Sequence, residues 1–137
     1  MIGHKWKEYG FDRLFDAVLF SPELVPTMIK DEPELLKCEN YAGETVLQFF
    51  SLEGKLDIVD LLLQCGAVAD EWSIYFASEM GHLDVILMLF ESGGVPNVRA
   101  CKNAFMRSNP KKFKAKQMRK LFNSYGYEWR PKSLHEL

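Results

Sequence analysis

Gly54-Lys55-Leu56-Asp57-Ile58-Val59 is followed 27 residues later by Gly81-His82-Leu83-Asp84-Val85-Ile86. All six positions match in type, and the glycines at 66 and 93 keep the same offset downstream. A glycine followed by an apolar pair every third or fourth residue marks a break and the start of an amphipathic helix. A glycine after the last apolar position supplies a left-handed cap. Self-similarity at a fixed interval is the mark of a repeat architecture.

Working outward, each motif gains a preceding helix. A helix is expected from Gly43-Glu44-Thr45 to 52 and another over 56–64. Asp70 then caps a helix over 71–80, with a partner over 83–92 that ends at Gly93-Gly94. Before this block, Leu14, Phe15, Val18 and Leu19 and then Leu24, Val25, Met28 and Ile29 keep helical spacing. Ser21 reads as N-cap and Pro22 as first residue of the second helix, which Asp31-Glu32-Pro33 ends. Pro26 predicts an irregular start there. After the block, helices are expected over 98–107 and 110–123, with Ser108 or Asn109 as cap and Gly126 as stop. Phe113, Met118, Leu121 and Phe122 are expected to form the apolar side of the last helix.

The resemblance is to ankyrin repeats, carried by Asn40, Gly43, Thr45, Leu47, Gly54, Leu56, Ile58, Val59, Leu62, Leu63, Gly66 and Ala67. It implies an all-α, ankyrin-like solenoid of about four helix-turn-helix units with short or truncated β-turn fingers. The units fall at about 10–30, 40–66, 70–94 and 97–126, within one domain over 1–126, and 127–137 is a C-terminal tail ordered at most in part. The first and fourth units resemble caps with polar outer faces. Val46 and Gln48 replace the family's proline and histidine, and Phe50 replaces an alanine, which opens the packing locally. The 27-residue interval is about six short of the family period, so the finger between 66 and 72 is expected to be truncated.

Composition narrows the function. No basic start is followed by an apolar leader, and the aliphatic and aromatic run at 85–90 cannot span a bilayer, so a cytoplasmic monomer is expected. Cys38, Cys65 and Cys101 form no CxxC pair and read as buried thiols. His82 is expected to hydrogen-bond the inter-helix turn rather than act in catalysis, and Ser92-Gly93-Gly94 reads as a helix stop rather than a phosphate loop. No catalytic set, cofactor or metal site is expected.

Charge divides sharply. Residues 1–97 hold 6 Lys/Arg against 17 Asp/Glu, a net of −11, and residues 98–137 hold 11 against 2, a net of +9. Such a gradient bears on partner choice. In ankyrin proteins partners sit on the concave face, and the resemblance places Tyr41, Ala42, Glu44, Leu52, Glu53, Glu79 and Met80 there. Leu19 or Phe20 extends the row, and Trp72 and Tyr75 flank the shortened finger. That set suits another protein with a basic surface, such as a toxin or enzyme neutralised by an inhibitor or immunity-type protein. A generic adaptor or effector is the alternative. Lys111, Lys112, Lys114, Lys116, Arg119 and Lys120 form a basic patch that reads as a solvated cap or, as the minority alternative, a nucleic-acid or phosphate site.

Overall fold

The computed structural model describes residues 4–130, which are helical with no strand. The chain runs through α1 (His4–Phe20), a 3-10 turn (Pro22–Leu24), α2 (Val25–Asp31), a 3-10 segment (Pro33–Lys37), α3 (Val46–Glu53), α4 (Leu56–Gln64), α5 (Glu71–Glu79), α6 (Leu83–Glu91), α7 (Val98–Arg107) and α8 (Lys112–Ser124). In one layer α5 packs between α3 and α7; α4, α6 and α8 pack in sequence behind them.

The 27-residue interval governs burial as well as sequence. Val46, Leu47, Phe50 and Ser51 are buried on α3, and Ser73, Ile74, Ala77 and Ser78 are buried at the same offsets on α5. Cys101, Ala104 and Phe105 continue the series on α7. Small side chains dominate these positions, which lets neighbouring axes approach closely. Phe50 is accommodated on the side of α1: it stacks on Phe15 at 5.2 Å, with Phe49 edge-on to both.

Two hydrogen bonds fix how α3 and α5 lie. Gln48, in the first turn of α3, donates through Nε2 to Asp70 Oδ2 at 3.1 Å, and Asp70 is the N-cap of α5. Leu52, in the last turn of α3, offers its carbonyl to His82 Nε2 at 2.9 Å, just beyond the end of α5. The two helices therefore run in the same direction. Gly54 makes the second contact feasible. Its φ of +72° is left-handed, and an added Cβ would lie 2.6 Å from the His82 ring.

Local chemistry sets the boundaries. Thr45 and Gln48 form a reciprocal capping box, so α3 starts at Val46 rather than at Gly43. The residues before it make a turn closed by a Glu39–Thr45 bridge, in which Asn40 Oδ1 accepts from the amides of Ala42 and Glu44, each at 3.0 Å. Residues 66–70 hold no such turn, in keeping with the shortened interval.

Several expectations need correction. Ser21 gives no side-chain cap, and Pro22–Leu24 is a separate 3-10 turn. A helix begun at Pro22 would meet Pro26 four residues on, where the missing amide and the ring both break it. The α8 helix starts at Lys112 without a side-chain cap. Ser108 instead donates to Phe105 O at 2.6 Å, ending α7, and Asn109 is left-handed with φ 51°. Phe113 is 72% exposed while Met118 and Phe122 are fully buried. Five residues separate Phe113 from Met118, about 140° around a helix, so the two cannot share a face.

The first helix is longer than its apolar pattern, starting at His4. Gly10 lies inside it, and the chain at Cys38 passes so close that a Cβ would clash with the Cys38 Sγ. At the other end, the tail expected to be ordered at most in part begins as core. Trp129 is 4% exposed and packs at 4.6 Å on Phe122 and 5.9 Å on Phe105. Asn123 Oδ1 accepts from its backbone N–H at 2.8 Å. The packed body thus continues past 126 to Trp129; the rest of the expected tail, 131–137, lies outside the described residues.

Candidate interaction surface

The free side of α5 is set by its buried side. With Ser73, Ile74, Ala77 and Ser78 inward, the 3.6-residue repeat turns Trp72, Tyr75, Phe76 and Glu79 the other way. The three rings touch one another: Trp72 lies 5.6 Å from Tyr75 and 6.2 Å from Phe76, and Tyr75 lies 5.6 Å from Phe76. Trp72 remains 58% exposed and Met80, at the end of α5, 56% exposed.

The same offsets place the neighbours. Leu52 and Glu53 end α3 beside Glu79 and Met80 of α5, and Met106 and Arg107 end α7. Glu53 is exposed, whereas Leu52 and Glu79 are half-buried. Arg107 donates to the Tyr75 hydroxyl at 3.1 Å, joining α7 to the ring cluster. The strip therefore changes character across the helices. It carries a carboxylate on α3, rings and a second carboxylate on α5, and cations on α7, where Arg99, Lys102 and Arg107 lie. The expected mixture of apolar residues and carboxylates lies on α3 and α5, and the cations of α7 adjoin it.

Of the finger residues, Tyr41 is 90% exposed and makes no ring contact with the α5 cluster among the described residues. Ala42 is exposed beside it. Glu44 is half-buried and accepts from Asn40 Nδ2 at 3.0 Å, so it serves the turn itself. Leu19 and Phe20 are exposed at the end of α1, Phe20 beside Leu24 rather than in the row with Trp72. Phe76 and Arg107 were absent from the sequence expectations. Adding 27 to Phe49 and to Met80 finds both.

The basic residues do not form one stripe. Lys112, Lys116 and Lys120 follow one another at four-residue steps on the exposed side of α8, with Lys111 at its N-cap. Lys114 lies elsewhere, its Cε about 3.3 Å from where a Gly81 Cβ would stand, and Arg119 is half-buried. Burial pushes the Cys101 thiol up to about 11 and raises those of Cys38 and Cys65, which keeps all three protonated near neutrality. Among the described residues no group of three or more His, Cys, Asp or Glu is placed to hold a metal ion. Nor is any described helix long and apolar enough to cross a membrane.

Comparison of the chain with protein-family models, with curated proteins and with solved structures finds no match. Functional inference therefore rests on the residues and their geometry.

Proposed function

We propose that this chain is a non-catalytic protein-binding module, a divergent ankyrin-like stack of about four helix-turn-helix units. Its partner docks across the free side of α3 and α5, where Glu53 and Glu79 flank the rings. The observation that carries the reading is the Trp72–Tyr75–Phe76 cluster, which leaves Trp72 58% exposed on a helix whose other side is core. Large amphipathic rings ringed by charge are what binding hot spots are made of. The repeat reading is supported by the shared burial offsets, the Asn40 turn before α3 and the His82 bond that joins successive pairs.

The partner of this strip presents an apolar pocket for Trp72, with cations facing Glu53 and Glu79. A basic toxin or enzyme neutralised by occlusion fits that description, and the net charge of −11 over residues 1–97 favours it over a generic adaptor role. The test is affinity capture with the full chain, comparing the unaltered protein with Trp72→Ala, with Glu53→Lys/Glu79→Lys and with Lys112→Glu/Lys116→Glu. A stoichiometric protein partner lost with the first two variants and kept with the third supports the proposal. Capture unaffected by the first two refutes the assigned face. Nucleic acid lost only with the third, and released by moderate salt, moves the function to α8.

A further inference from the structure

Among the described residues, the first and last helix pairs leave apolar side chains outside, and their surrounding charges are opposite. Between α6 and α8 runs a groove of about 700 Å³, floored by Leu87, Phe113 and Leu121. Phe113 is 72% exposed and Leu87 is 42% exposed. Lys116 and Lys120 stand one turn apart on the α8 rim, and Asp84 lies on the α6 side. Neither lysine makes an ion pair among the described residues. At the other end, Phe20 is 79% exposed and Leu24 is 55% exposed, on either side of the 3-10 turn. Asp16 and Glu23 flank them, exposed and outside any ion pair among the described residues. Arg13, the cation on that surface, is already held by Glu32 at 3.1 Å.

We propose that these are the two halves of one interface between copies of the chain. The Phe20–Leu24 knob of one copy seats in the Leu87–Phe113–Leu121 groove of the next, with Asp16 and Glu23 against Lys116 and Lys120. Apolar groups gain by leaving water at either end, but charge selects the pairing. Groove against groove sets lysines against lysines, and knob against knob sets carboxylates against carboxylates. Only knob against groove brings opposite signs together, and the division into a net of −11 and a net of +9 extends that preference to longer range. The polar outer faces expected of the end units are interrupted by Phe20 and Phe113, which are 79% and 72% exposed. A contact between two different patches leaves one of each free, so the product is a head-to-tail series, open or closed into a ring, rather than a symmetric pair. This interface does not use the Trp72 strip, so it stands or falls independently of the proposed function.

Sedimentation velocity on the full chain at low salt, from about 1 μM to about 1 mM, tests it. The mean mass is expected to rise with concentration beyond that of two chains and to fall when salt is added. Lys116→Glu/Lys120→Glu and Asp16→Lys/Glu23→Lys are each expected to weaken association by at least about tenfold. An equimolar mixture of the two variants restores growth, because each reversed end then meets an oppositely charged one. All four positions lie outside the buried core, and circular dichroism checks that the variants stay helical. A monomer at every concentration overturns the proposal and leaves the groove to a different occupant. A discrete dimer abolished by the lysine variant, and not restored by mixing, overturns it in favour of a symmetric groove-to-groove contact.

Discussion

Replacing Gly54 by alanine tests whether adjacent helix pairs are joined through His82. The residue has φ +72°, and its added Cβ would stand 2.6 Å from the His82 ring. The left-handed backbone alone costs about 1–2 kcal/mol for a residue with a side chain. The ring must also move away, which gives up the 2.9 Å bond to Leu52 O, a loss of about 0.5–1.5 kcal/mol. Gly54→Ala should therefore destabilise by about 2–3 kcal/mol in urea unfolding. His82→Ala alone removes the bond and should cost about 1 kcal/mol. In the His82→Ala background the clash is gone, so Gly54→Ala should cost about 1 kcal/mol less than it does in the unaltered chain. If the two substitutions add to within about 0.5 kcal/mol, the inter-pair contact is not coupled and the argument fails.

Three further outcomes follow from geometry. Trp129→Ala should lower stability by about 3–5 kcal/mol, as for a large buried ring, and a thermal or urea shift worth under about 1 kcal/mol would put the segment outside the core. Asp70→Ala removes the cap on Ser73 N at 2.7 Å and the acceptor for Gln48, a loss of about 1–2 kcal/mol; Asp70→Asn, which retains a capping oxygen, should recover most of it. For Cys101 the folded thiol is raised from 9.0 to about 11. The unfolded chain releases that proton first, so its contribution is intact below pH 9.0 and is lost as pH rises to about 11. Unfolding midpoints across that window should fall less steeply for Cys101→Ala, and identical slopes would show that the thiol titrates alike in both states.

The repeating core was legible because it depends on short-range pattern. The cap of Asp70, the left-handed turns of Gly54 and Gly81 and the apolar pairs after each glycine are local features, each set within a turn or two of its own position. The expected bond of His82 exists, but its acceptor is the Leu52 carbonyl of the preceding helix pair, and no local rule names a partner 30 positions away. Phe113 was misplaced because the apolar residues of α8 were grouped by type, whereas helical phase puts Met118 and Phe122 on one side and Phe113 on another. Trp129 was missed for a different reason. Its partners Phe105 and Phe122 belong to the last helix pair, and a segment without periodicity gives no sign of which surface it covers. The Trp72–Tyr75 pairing was foreseeable from its spacing, but the involvement of Arg107 required knowing that α7 lies beside α5.

The regular offset has a consequence for how this chain could change length. Residues 55–81 begin just after one left-handed glycine and end on the next, with φ values of +72° and +71°. A tandem duplication of that segment would join ends of matching backbone conformation and carry the same four inward positions to the new helix. The copy of α5 would display a second Trp72 beside the original. Recombination could thus enlarge the exposed strip in a single event without designing a new core, whereas an out-of-step insertion within a helix would turn polar side chains inward.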